Sequence, residues 1–129
     1  MSSNSTYMGA FVQEGVDAYN AQDFGRLGAL YADDVNYTCA PFQLAFTGRD
    51  AFVGHVKEYA GAVPDRKLTV RQVIADGDTV AVEYSFTGTS SGVHPGLPPE
   101  GEPVRAGFCS VLRLREGQIA SQADYLGGE

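Results

Sequence analysis

Apolar residues at Met8, Phe11, Val12, Val16 and Tyr19 recur at helical spacing, and Asn20 with Gln22 interrupts them. Asp23 then stands where a helix N-cap belongs, and the pattern predicts a second helix with Phe24, Leu27, Leu30 and Tyr31 on one face, stopped by Asp33-Asp34. Val35 to Cys39 and Gln43 to Thr47 read as two short strands split by Ala40-Pro41-Phe42. A third helix is predicted from about Asp50 to Ala60, with Phe52, His55, Val56 and Tyr59 on one stripe and Pro64 beyond its end.

The rest of the chain has period two. Leu68 to Ala75 alternates, Asp76-Gly77-Asp78 is a hairpin signal, and Thr79 to Thr89 alternates again with Val80, Val82, Tyr84 and Phe86 on one face. Ser90 to Pro103 holds four prolines and three glycines and reads as one long loop, of the kind that often carries function. Strand resumes over Val104 to Arg115, turns at Glu116-Gly117 and returns over Gln118 to Tyr125. Regular pairing outward from that turn sets Leu114 opposite Ile119 and Cys109 opposite Asp124. It also puts Asp124 on one face with Gln122 and Ala120, and Ile119 and Tyr125 on the other.

The expected fold is α+β: four long strands in a curved antiparallel sheet, with three helices packed on its concave face to make a cone that encloses a cavity. With 129 residues, no internal repeat and no linker, the chain is expected to be one domain over residues 8–129, preceded by a disordered polar stub at 1–7. No apolar run approaches the ~20 residues of a membrane span and no signal sequence opens the chain, so no membrane partner and a cytoplasmic location are expected. Sixteen acidic against nine basic residues give a net charge of −7, which repels phosphate backbones and argues against nucleic acid. Cys39 and Cys109 lack the density of a disulfide scaffold and the spacing of a zinc site, and read as two buried, reduced thiols. The two histidines are far apart, and no glycine-rich turn joins a strand to a helix, so neither a metal nor another cofactor is expected.

The element order, with the strings Tyr31-Ala-Asp-Asp-Val35, Tyr37-Thr-Cys-Ala-Pro41, Gly48-Arg-Asp-Ala-Phe52, Thr87-Gly-Thr89 and Gly117-Gln-Ile with Asp124-Tyr125, resembles the SnoaL-like polyketide cyclases of the nuclear transport factor 2-like superfamily. The likeness runs from about Phe11 to Tyr125. It implies a homodimer and a cofactor-free enzyme that uses acid/base groups inside the cone on a small-molecule substrate. Among the relatives, the ketosteroid isomerase pattern fails, because its catalytic Asp falls at Cys39 and its first-helix Tyr at Gly15. The epoxide hydrolase pattern keeps Tyr37 and Asp124 but loses its Asn at Cys39, and its Arg and Asp positions fall near Glu83 and Ser85. The polyketide cyclases share the Gly-Thr turn, the loop Gly96-Leu-Pro-Pro-Glu-Gly101 and the closing Gly-x-Ile strand, although their usual Asp falls at Gly127 and leaves Asp124 as the nearby carboxylate.

The family position makes Asp124 the expected base; Tyr37, alternating with Val35 and Cys39 on the first strand, is read as a hydrogen-bond donor to an oxyanion, and His55, on the helix stripe with Phe52 and Tyr59, as a proton shuttle with Asp124. A carboxylate in an apolar cavity is a usable base because desolvation raises its pKa. Residues expected around the ligand are Cys39, Phe42, Phe52, Tyr59, Glu83, His94, Phe108 and Gln122, with His94 at the cavity mouth. Phe46, Tyr84 and Phe86 complete an aromatic set able to line a pocket for a flat polycyclic molecule. The expected chemistry is cyclisation, dehydration or isomerisation. A non-catalytic binding module and an epoxide hydrolase with Glu83 beside Asp124 are the competing readings.

Overall fold

The two strands around Asp76-Gly77-Asp78 pair as their alternation requires. In the computed structural model, which describes residues 2–93 and 97–127, β3 (Lys67–Asp76) and β4 (Thr79–Thr89) are antiparallel, with Asp76 opposite Thr79 and Gly77 at φ 61° in the turn. β4 pairs with β5 (Pro103–Arg115) without interruption, and β5 pairs with β6 (Gln118–Gly127). Inward positions Val80, Val82 and Phe86 of β4 meet Leu112, Ser110 and Ala106 of β5, so the concave face is almost wholly apolar.

The helices cover that face. α1 (Ser2–Asn20) turns Met8, Val12 and Val16 inward, α2 (Phe24–Gly28) is one short turn, and α3 (Arg49–Ala62) buries Phe52, Ala60 and Ala62. Asp23 caps α2 as expected, its side chain accepting from the Arg26 backbone N–H at 3.2 Å. β1 (Tyr31–Cys39) and β2 (Leu44–Thr47) flank the short 3₁₀ turn Ala40–Phe42. The sheet order is β2-β1-β6-β5-β4-β3, an open, curved six-stranded sheet, and β1 joins β6 in parallel while every other pair is antiparallel.

Two expectations are corrected. Tyr31 belongs to β1 and not to the second helix: α2 ends at Gly28, the Ile119 N–H donates to the Leu30 carbonyl, and Tyr31 faces Ile119 across the ladder. The helical stripe ending at Tyr31 is thus overridden by sheet pairing, a tertiary effect that local spacing does not contain. Asp33 and Asp34 lie inside β1, where Arg49 and Arg115 respectively hold them at the surface.

The second correction concerns register. A β-bulge puts Ala120 as an extra residue in β6, so beyond it Ser110 rather than Cys109 stands opposite Asp124, and Cys109 faces Tyr125. The same bulge brings Ile119 to the face that Gln122 and Asp124 share. Cys39 is buried as a free thiol, whereas Cys109 is only half-buried.

Gly88 of β4 shows how closely the end of α3 approaches the sheet. A Cβ built there lies 2.3 Å from Cγ1 of Val63 and 3.2 Å from Cα of Arg66. Gly88→Ala is expected to cost about 1–3 kcal/mol through overpacking, read from the urea midpoint at unchanged slope.

Candidate active site

The concave face and the helices enclose a cavity of about 540 Å³, within the size range of small-molecule sites. All six aromatic residues expected to line a pocket, Phe42, Phe46, Phe52, Tyr84, Phe86 and Phe108, do so, joined by Phe11, Tyr19, Tyr31, Tyr37 and Tyr59. Phe42 sits half-exposed in the 3₁₀ turn. Phe52 is buried, with its ring centroid 4.5 Å from that of Tyr31 and 5.0 Å from that of Tyr37. Tyr59 and Phe108 both meet the Phe86 ring at 6.0 Å.

Asp124 is the polar centre of this wall. Its Oδ2 accepts from the Tyr37 hydroxyl at 2.7 Å, and its Oδ1 accepts from the Ser110 hydroxyl at 2.5 Å and the Gln122 amide at 3.0 Å. The Tyr31 hydroxyl in turn donates to Gln122 Oε1 at 2.6 Å, which leaves the Gln122 NH₂ as the end that faces Asp124. Three donors therefore converge on one carboxylate. Oδ1 takes two of them, and the lesser-occupied Oδ2 retains acceptor capacity.

Burial raises the Asp124 carboxyl above the ordinary aspartate value, against the opposing pull of Ser110, Tyr37, Gln122 and the charge of His55. Burial, reinforced by the Asp124 charge, holds the Tyr37 phenol far above its usual range, so it is a neutral donor at any working pH. The same two causes push up the thiol of Cys39, which sits in register with Asp124 on β1. His55 of α3 lines the cavity with its ring 5.9 Å from that of Tyr37 and 4.9 Å from that of Phe46.

Of the residues expected at a site, the structure gathers Asp124, Tyr37, His55, Cys39, Phe42, Phe52, Tyr59, Phe108 and Gln122 around one cavity. Glu83 is corrected: it is exposed, pairs with Cys109 on the outer face of the sheet and does not line the cavity, because its neighbours Val82 and Tyr84 take the inward positions. The water-activating pair of Glu83 and Asp124 required for epoxide hydrolysis is therefore not assembled. His94 lies outside the described residues. Two members of the Asp124 network were not anticipated. Tyr31 was hidden by its helical spacing, while Ser110 had a legible signal as the lone polar residue among Phe108, Leu112 and Leu114 on the inward face of β5.

Tyr31→Phe tests that network without touching the carboxylate. The variant leaves Gln122 Oε1 without its donor and frees the amide to turn, so the Asp124 carboxyl is expected to titrate higher still, followed through its side-chain ¹³C resonance.

Residues 12–122 match the family model described as the SnoaL-like domain. The chain belongs to this SnoaL-like family. Three solved structures share the fold of this SnoaL-like protein. AclR from Streptomyces galilaeus, a candidate hydroxylase, is 24% identical with a TM-score of 0.82, over 95% of this chain and 76% of that one. IdmH from Streptomyces antibioticus, a candidate polyketide cyclase, is 23% identical with a TM-score of 0.79, over 92% and 90%. An NTF-2 like protein from Burkholderia xenovorans LB400 is 18% identical with a TM-score of 0.73, over 93% and 82%. The expected cone of the nuclear transport factor 2-like superfamily is thus the observed fold. The S-adenosylmethionine synthase of Streptococcus uberis (strain ATCC BAA-854 / 0140J) is 32% identical over 87 residues, 67% of this SnoaL-like chain. The chain spans 22% of that protein, too little to carry the activity across. Among the described residues no helix is long and apolar enough to cross a membrane, and no three His, Cys, Asp or Glu side chains group as metal ligands.

Proposed function

We propose that this SnoaL-like protein is a cofactor-independent acid/base enzyme acting on a polyketide-like aromatic or polycyclic small molecule. The observation that carries the reading is Asp124: a carboxylate held by three donors on the wall of a largely aromatic and aliphatic cavity, whose lining also includes the exposed Glu58. In the proposed step Oδ2 of Asp124 takes a proton from a carbon or oxygen acidified by a neighbouring carbonyl, and the electron pair moves onto that carbonyl oxygen. Protonation of Asp124 weakens the hydrogen bond that it accepted from Tyr37, and the phenol turns its O–H to the new oxyanion. His55, its ring tilted 5.9 Å from that of Tyr37, takes the proton from Asp124 and delivers it to the product, which returns both groups to their starting state. Ring closure, dehydration and isomerisation all start from such an enolate. Membership of the SnoaL-like family and the likeness to a candidate polyketide cyclase favour this class over other buried-carboxylate chemistry.

The test is deuterium uptake from D₂O into the methylene of an aryl β-keto ester, followed by NMR against buffer alone. Acceleration by the protein is expected. A probe that binds without faster exchange would overturn the enzymatic reading in favour of a binding module.

A further inference from the structure

A further polar group on the cavity, apart from the Asp124 network, His55 and Glu58, lies at the end of α1. Asn20 clamps that end to β3 in both directions: its amide donates to the Leu68 carbonyl at 3.0 Å, and its Oδ1 accepts from the Leu68 N–H at 2.9 Å. Arg66, just before β3 and 5% exposed, donates through Nη2 to the Tyr19 carbonyl at 2.7 Å and lays its guanidinium 4.7 Å from the centre of the Tyr19 ring. Its Nε is buried with no hydrogen-bond partner. Burying a guanidinium in this way costs several kcal/mol unless other interactions compensate. Here the charge is set against the face of an aromatic residue that lines the cavity. Burial drives the Tyr19 phenol up to about 12 and Arg66 pulls against it, so the group is a neutral donor sharpened by a nearby cation.

This group is remote from Asp124. Asp124 is in register with Ser110 and, through it, Val82, whereas Asn20, next to Tyr19, is bonded to Leu68, which pairs with Phe86, four residues along β4 and two strands from Asp124. Strand geometry puts those backbone positions on the order of 15 Å apart. The inward wall between them carries Tyr84 and Phe108, paired across β4 and β5, and among the described residues no lysine or arginine lines the cavity. A ligand polar only at the Asp124 end would press hydrocarbon on Tyr19 and leave its donor unpaired, the situation that sites built for hydrogen bonding reject most strongly.

We infer that the cavity has two polar ends and takes a rigid aromatic ligand that carries an oxygen acceptor at the end away from its acidic proton, with Tyr19 as the residue that selects for that distal oxygen. The inference rests on the cavity being a small-molecule site and is independent of whether Asp124 catalyses a reaction there.

The experiment compares 2-hydroxyanthraquinone with 2,6-dihydroxyanthraquinone, which differ by one distal oxygen. Kd is measured by quenching of tyrosine fluorescence at a pH below the probes' own ionisation. The protein is expected to prefer the dihydroxy probe by about tenfold, the scale of one hydrogen bond. Tyr19→Phe should collapse that ratio to near one, and Asp124→Asn should leave the ratio standing. Equal affinity of the unaltered protein for both probes, or a preference that survives Tyr19→Phe, overturns the inference while leaving the proposed function in place. Failure to bind either probe overturns both. A thermal melt of Tyr19→Phe close to that of the unaltered protein shows that the collapse is not loss of fold. Arg66→Met provides the second variant: removal of the cation while the aliphatic packing stays should lower the ratio, and an unchanged ratio denies Arg66 its part.

Discussion

Asp124→Asn is expected to slow exchange of the β-keto ester by about 10²- to 10⁴-fold, the range of a positioned general base. The substitution suits the purpose because asparagine can keep the local hydrogen bonds. Its carbonyl oxygen can take the place of Oδ1 and accept from Ser110 and Gln122, while its NH₂ replaces Oδ2 and donates to the Tyr37 oxygen, whose O–H is free to rotate. What is lost is the capacity to hold a proton.

The same variant should be more stable at neutral pH. Burial raises the Asp124 carboxyl in the folded protein above its ordinary value of 3.8. Over the window between those two values the folded protein binds a proton that the unfolded chain has released, so stability falls as pH rises through it. Asparagine cannot ionise and lacks that fall. Urea melts across the acid range should therefore converge with those of the unaltered protein at low pH and separate above it, with Asp124→Asn the more stable. Activity of the unaltered protein should show the mirror image, rising with pH as the base loses its proton.

The second large effect is structural. Phe52→Ala should cost about 3–5 kcal/mol, the range for deleting a buried phenylalanine. Phe52 is 3% exposed, and its ring is the wall against which both Tyr31 and Tyr37 are set. Removing it opens the helix side of the cavity and loosens the two phenols that tie down Gln122 and Asp124. Phe52→Leu, which keeps most of the volume, should recover more than half of the lost stability in the same denaturation experiment. If Phe52→Ala melts like the unaltered protein, α3 does not form the wall described above.

The parts of this protein that were legible in its sequence are those that depend on local pattern. Alternation gave the long strands and the inward set Val80, Val82, Tyr84 and Phe86, because a strand with one dry face must repeat with period two. Asp23 announced its helix because a cap is a local hydrogen bond. The misreadings arose where a distant partner decides. Tyr31 carries a helical spacing that only pairing with β6 overrules. Ser110 was displaced from its place opposite Asp124 by the one residue of the Ala120 bulge, which no turn or composition signal marks. Glu83 is a carboxylate in a strand, and the alternation that turns Val82 and Tyr84 inward is sufficient to send it outward.

β6 is the last of the six strands along the chain, yet it occupies the third place across the sheet, between β1 and β5. The hydrogen bond from Tyr37 to Asp124 consequently closes a loop of 87 residues. A ribosome must therefore extend the chain past Asp124 before the cavity can exist. Until then β1 and β5 each present an unpaired edge, and both are long enough to recruit a neighbouring nascent chain. Assembly of the Asp124 hydrogen-bond network and completion of the sheet are one event, and the slow, non-local closure that it requires is where chaperones would act on this protein.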